Sequence, residues 1–287
     1  MENIKRIQNI PRWPYADEEE EKILIEVLHS DNWWRNAGYQ VKSFEKEFAH
    51  YHNCIGGIAM ANGTVAIEIA LKALGVGEGD EVIVPDFTFY STVSAVLKAH
   101  AIPVIVDVDP NTFCIEPKKI EEAITEKTKA IIPVHIAGHV ADMKSIMELA
   151  KKNNLYVIED SSHAHGAVWN GKKAGSMGTM ATFSFQNAKL MTAGEGGIVI
   201  SNNGELLHRV LLEANCGRAE NDTTYQHILI GTNARLSEFQ GAILKAQLKR
   251  LDEQIDLRES NYAYLCEKIE QIHGITLQKK DDAMERH

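Results

Sequence analysis

Ala181-Thr-Phe-Ser-Phe-Gln-Asn-Ala-Lys-Leu-Met-Thr-Ala-Gly-Glu-Gly-Gly-Ile-Val-Ile200 orders the rest of the chain around it. A β-favouring run ends at Ser184, and a short loop then carries Lys189. Gly194-Glu-Gly-Gly197 turns the chain into a second β-favouring run. A lysine at the end of a buried strand costs free energy unless something uses it. It is either a solvated loop residue or a group placed for chemistry, and this segment alone favours neither.

Outward from that segment, short β-branched runs alternate with helical stretches, the pattern of a mainly parallel sheet with crossover helices. Strands are expected at Glu81–Val84, Pro103–Val106, Ala130–Val134, Tyr156–Glu159, Thr182–Phe185 and Ile198–Ser201. Helices are expected at Thr64–Leu74, Tyr90–His100, Glu116–Ile124, Met143–Asn153 and Glu205–Glu213. One long amphipathic stretch, Ser237–Ile272, follows, and the tail Gln278–His287 is polar, with nothing folded expected to follow.

The chain has 287 residues, enough for one large α/β domain and a small appendage. Its 44% apolar and 24% charged content is that of a soluble globular protein. A net charge of −10 argues against nucleic acid and anionic membrane as partners. Asp17-Glu18-Glu19-Glu20-Glu21 reads as the solvated first turn of a helix, where the helix dipole favours carboxylates. The first residues lack the apolar core of a signal peptide. No apolar run reaches membrane-spanning length. Cys54, Cys114, Cys216 and Cys266 are widely spaced, so they read as reduced thiols of a cytoplasmic protein with no metal site.

Several further segments can carry chemistry. Asn62-Gly63-Thr64 stands before a helix, as either a phosphate cradle or a simple cap. Asp160 ends a buried run, where open α/β sheets bind ligands, and His163 is expected one helical turn further on. Phe89 belongs to an aromatic cluster that either stacks on a flat ring or packs in the core. Asn233 and Arg235 alternate on an extended segment before the closing helix and could reach an anion. One cofactor needs such a set: pyridoxal phosphate (PLP) takes a Schiff-base lysine, a carboxylate for its pyridine nitrogen and an anion cradle for its phosphate.

The order Gly63/Thr64, Phe89, Asp160, Ser184, Lys189 resembles fold-type I PLP enzymes. Asn62-Gly-Thr-x-Ala66, Glu159-Asp-x-x-His-Ala-His-Gly166, Ser184-Phe-Gln-x-x-Lys189 and Asn233-x-Arg-Leu-x-Glu-Phe239 resemble the DegT/DnrJ/StrS aminotransferase family. The resemblance runs from Trp13-Pro14 to about Leu251. Within the family it extends to glutamine-dependent cyclitol aminotransferases, and Gln186, where many nucleotide-sugar members carry His, tilts the expectation the same way.

The resemblance implies an α/β fold with a mainly parallel seven-stranded sheet and helices on both faces. It implies a PLP-binding large domain over residues 1–250 and the start of a C-terminal small domain, cut short, over 251–287. Lys189 would hold PLP and move the proton, Asp160 would pair with the ring nitrogen, and Phe89 would stack on the ring. His163 would sit by the ring hydroxyl. Gly63, Thr64 and Ser184 would bind the phosphate, with Asn233 reaching it from the partner of a homodimer. The implied reaction moves an amino group from glutamine or glutamate to a keto group on a sugar, cyclitol or related ring. The alternatives are PLP binding without turnover, and sugar dehydration, whose branch replaces the lysine with histidine.

Overall fold

The computed structural model describes residues 11–286. The signal-peptide reading of the first ten residues therefore lies outside them, as does His287. Two helices, α1 (Glu18–His29) and α2 (Gln40–Tyr51), precede strand β1 (Gly56–Met60). Then come α3 (Gly63–Ala73), β2 (Glu81–Pro85), α4 (Ser91–Lys98), β3 (Ile102–Val106), α5 (Pro117–Ala123) and β4 (Thr128–Ile131). Next are α6 (Met143–Asn153), β5 (Tyr156–Asp160), β6 (Val168–Trp169), β7 (Lys172–Lys173), β8 (Met180–Ser184) and β9 (Gly197–Ser201). The chain continues through α7 (Gly204–Ala214), α8 (Glu238–Lys249), α9 (Leu251–Ile269) and β10 (Met284–Arg286).

Seven strands form one sheet in the order β1-β9-β8-β5-β4-β2-β3. Strand β9 alone runs against the rest, because the Lys189 loop joins it to β8 as an antiparallel neighbour. The expected fold class and its seven strands are present. Side chains alternate across each strand, so the sheet has two apolar faces. Val82, Val84, Ile158, Met180 and Val199 pack with Ile67 and Leu71 of α3, Val96 of α4 and Val210 of α7. On the opposite face, Ile83, Ile131 and Val157 meet Ile120 of α5 and Ile146 of α6. Beside them Phe183 and Ile200 meet Phe44 and Phe48 of α2 and Leu244 of α8. The acidic run behaves as expected: Asp17 caps α1 in a capping box closed by Glu20.

The C-terminal expectations need correction. The stretch 237–272 is two helices, not one, broken at Arg250, whose guanidinium binds Asp17, the cap of α1, and Glu20 within it. The polar tail carries a short strand. Its strand β10 pairs with β6 in a small three-stranded sheet, and Met284 is buried there. Asp281 accepts from Trp169 Nε1 at 2.9 Å. Three residues with one apolar side chain carry no periodic signal, so this strand was invisible in the sequence.

Candidate active site

Alternation along β5 divides its two acidic residues. Ile158 faces α3 and α4, so Asp160 does too, while Glu159 points to the opposite face. By the same rule Ser184 follows Met180 on β8 toward the α3 side. Two strand ends and a helix start therefore meet at one end of the sheet, where open α/β sheets place ligands.

Asp160 is 5% exposed. Thr92 Oγ1 donates to its Oδ2 at 2.9 Å, and the Ser162 N–H donates to Oδ1 at 3.2 Å. Glu159, fully buried behind it, accepts from the N–H groups of Gly175, Met177 and Gly178 at 2.8, 2.8 and 2.6 Å. His135 accepts the Ala141 N–H at Nδ1 and therefore donates from Nε2 to Glu159 at 2.9 Å. The His135 N–H also holds the Asp160 carbonyl at 3.0 Å. This anchoring set was missed in the sequence, where Glu159 was only the neighbour of a candidate.

Lys189 sits in a shaped turn. Gln186 accepts the Ala188 N–H on its side chain at 2.9 Å and the Lys189 N–H on its carbonyl at 2.8 Å. The Thr192 hydroxyl donates to the Phe185 carbonyl at 3.0 Å and closes the loop onto β8. Burial pushes the Lys189 amine below its ordinary value, against the opposing pull of the Asp160 charge. A lysine so placed is easier to deprotonate, and the neutral amine is the nucleophilic form.

The anion cradle is tight. Asn62 caps α3 by accepting the Val65 N–H at 2.9 Å, which leaves the Gly63 and Thr64 N–H groups without partners in the helix. A Cβ on Gly63 would come within 2.8 Å of the Ser184 Cβ, so only glycine lets the two segments approach this closely. The Thr64 hydroxyl lies 2.7 Å from that of Ser91.

His163 does not follow Asp160 by a helical turn as expected, because residues 161–167 form tight turns. It reaches the same cleft nonetheless. Its Nδ1 accepts the Ala137 N–H at 3.2 Å, so Nε2 is the donor nitrogen of the neutral ring. Ala137 adopts φ 53°, a left-handed conformation uncommon for alanine, beside the site. Phe89 is 67% exposed and lines the cleft rather than the core. Asn233 does not line this cleft. It is exposed and pairs through its backbone with Asn215.

The cleft has a volume of about 860 Å³. Gly63, Thr64, Phe89, Asp160, Ser184 and Lys189 line it, with His163 beside them. An amine, a buried carboxylate and a phosphate-sized cradle closed to any Cβ fit PLP. The DegT/DnrJ/EryC1/StrS aminotransferase family matches residues 14–287. The 3-amino-5-hydroxybenzoate synthase of Amycolatopsis mediterranei (strain S699) is 42% identical over 99% of this chain and 74% of its own length. The L-glutamine:scyllo-inosose aminotransferase of Streptomyces griseus is 39% identical over 93% of this chain and 66% of its own. A crystal structure of 3-amino-5-hydroxybenzoic acid synthase superimposes with a TM-score of 0.94 at 43% identity, covering 97% of this chain and 73% of that one. Solved relatives occur in forms with PLP and with its aminated counterpart, pyridoxamine phosphate. The chain belongs to this family: it is a PLP-dependent aminotransferase.

Proposed function

We propose that this enzyme transfers the amino group of glutamine or glutamate to a keto carbon on a sugar, cyclitol or related ring. The observation that carries the reading is one cleft lined by the Lys189 amine, the Asp160 carboxylate and the Gly63–Ser184 cradle. The relatives named as a scyllo-inosose aminotransferase and as a 3-amino-5-hydroxybenzoate synthase support the acceptor class.

PLP, when bound, supplies an aldehyde to receive the amine and a pyridine ring to spread the charge left when a proton departs. Gly63, Thr64 and Ser184 take its phosphate through the α3 N-terminus and two hydroxyls. Asp160 holds a proton at the ring nitrogen through a charge-assisted hydrogen bond. Phe89 covers the ring face and excludes water from it. His163 offers its Nε2–H along the cleft wall. Lys189 would hold the cofactor through its amine and, as a free base, would move the proton at the substrate carbon. The donor would leave as a keto acid, and the same residues would serve the acceptor in the reverse sense.

The remaining parts of the proposal concern assembly and place. Asn233 serves the phosphate of a partner subunit, making a homodimer with two shared sites. Its exposure outside its own cleft supports this, as do the exposed apolar side chains of Tyr225, Ile228 and Ile230 on the segment before it. Residues 1–250 are read as the cofactor unit and 251–287 as the start of a second, supported by α9 burying only Leu251 and Ile255, while β10 returns to pair with β6 of the first. A cytoplasmic enzyme suits four free cysteines, and no helix among the described residues is long and apolar enough to cross a membrane. The test is a half-reaction. Glutamine or glutamate, added to PLP-loaded protein without acceptor, should convert the bound cofactor to its aminated form with loss of visible absorbance. A spectrum unmoved by either donor, or by any amine, rejects the reading.

A further inference from the structure

Thr92 of α4 is wholly buried, and its hydroxyl lies 2.9 Å from Asp160 Oδ2. A carboxylate only accepts, so the Thr92 hydrogen goes to Asp160. A hydroxyl has one hydrogen, so the 2.7 Å contact between Thr92 Oγ1 and Thr88 Oγ1 has Thr88 as donor. The direction of the whole chain is thereby set: Thr88 to Thr92 to Asp160. The Ser162 N–H holds the other carboxylate oxygen, so the carboxylate cannot swing about its own axis without breaking a bond.

Thr88 stands between Phe87 and Phe89 on the loop that rims the cleft, and all three line it. The Thr92 N–H also donates to the Phe89 carbonyl at 3.1 Å. Asp160 and Thr88 are thus tied to the buried Thr92 hydroxyl, and Phe89, next to Thr88 on the loop, to the Thr92 backbone N–H. The i, i+4 spacing of the two threonines across the start of α4 makes this possible.

We propose that Thr92, supported by Thr88, is a positioning residue that sets the orientation of Asp160 and of the Phe89 loop toward the cofactor ring together. The inference rests on the reading of this cleft as the PLP site. Neither threonine touches the reacting atoms. They act through Asp160 and through the loop.

The experiment compares full-length wild type with Thr92→Val, Thr92→Ser and Thr88→Val, each loaded with PLP. Three quantities are read: PLP affinity by absorbance titration, circular dichroism of the bound cofactor per occupied site, and the half-reaction rate against donor concentration. Valine keeps the shape of threonine and removes the hydroxyl. Thr92→Val should slow the half-reaction at saturating donor about 10- to 100-fold, the worth of a hydrogen bond to a charged group. Its cofactor dichroism should change, while the donor concentration for half-maximal rate moves by less than about threefold. Thr92→Ser should restore both rate and dichroism to near wild type, and Thr88→Val should move both the same way by a smaller amount. Wild-type rate and dichroism in Thr92→Val would overturn the proposal. So would a Thr92→Ser protein as impaired as Thr92→Val, since the methyl and not the hydroxyl would then matter. If Thr92→Val does not fold, Thr88→Val decides alone, and wild-type behaviour there overturns the proposal. Failure of the wild type itself to bind PLP would instead refute the reading of the cleft, and the inference would fall with it.

Discussion

Asp160 and Ser184 end strands and are 5% and 9% exposed, whereas Phe89 and Ile230 stand on loops and are 67% and 100% exposed. The floor of the cleft is made of groups already hydrogen-bonded within the chain. Asp160 has Thr92 and Ser162, and Glu159 behind it has three N–H groups and His135. The rim carries the outward-facing aromatics Phe87, Phe89 and Tyr90, while Ile228 and Ile230 stand exposed on the segment that leads to Asn233, outside the cleft. A floor that needs no reorganisation suits catalysis, because its dipoles are in place before charge develops. Exposed apolar groups on loops suit a surface that something else covers. The difference separates what one chain does alone from what the proposed dimer adds.

Substitutions can break this contrast or sharpen it. The largest effect is expected at Lys189, where Lys189→Ala should lower the half-reaction rate by about 10³-fold or more, the upper range for a lost proton carrier. Next is Asp160→Asn, with a loss of roughly 10²-fold in rate and a much smaller change in PLP affinity, measured by single-turnover kinetics and titration. Equal losses in rate and affinity would make Asp160 a binding group only. Behind the floor, Glu159→Ala should cost about 3 kcal/mol of stability in denaturant unfolding, since it strands several buried donors. On the exposed segment before Asn233, Ile230→Asp should leave the stability of the subunit within about 0.5 kcal/mol but abolish the proposed dimer in sedimentation.

The smallest effect is one of pH. Burial holds the Lys189 amine below 10.5 in the cofactor-free fold, so at neutral pH its charge opposes folding. That cost is present below the folded value and fades as pH rises through it toward 10.5. PLP-free Lys189→Met should therefore melt above wild type at pH 7, with the gap closing as the buffer becomes alkaline. A gap that widens would contradict the burial argument.

What the sequence disclosed follows the same division. The β-branched runs that became β2, β5, β8 and β9 were legible because strands buried on both faces are continuous apolar runs. Strand β1, Gly56-Gly-Ile-Ala-Met60, was not, because two glycines and an alanine give no β signal. Asp160, Ser184, Lys189 and Gly63 were found from motif and order, and the structure gathers them in one cleft. Thr92 and His135 were missed because nothing local marks a threonine in a helix or a histidine after a strand as a partner of residues 68 and 24 positions away. Asn233 was placed near an anion by its motif, yet within this chain no geometry ties it to the cleft. The break at Arg250 depends on acids more than two hundred residues earlier, which no window of sequence contains.

The account stands on Lys189 as the residue that carries the cofactor, facing Asp160 across the floor of the cleft. Borohydride reduction of the PLP-loaded protein, followed by peptide mapping, tests this directly. The account predicts a single pyridoxyl adduct on the peptide containing Lys189, formed together with loss of the visible absorbance and of half-reaction activity. An adduct on another lysine, with Lys189 unmodified, would contradict it.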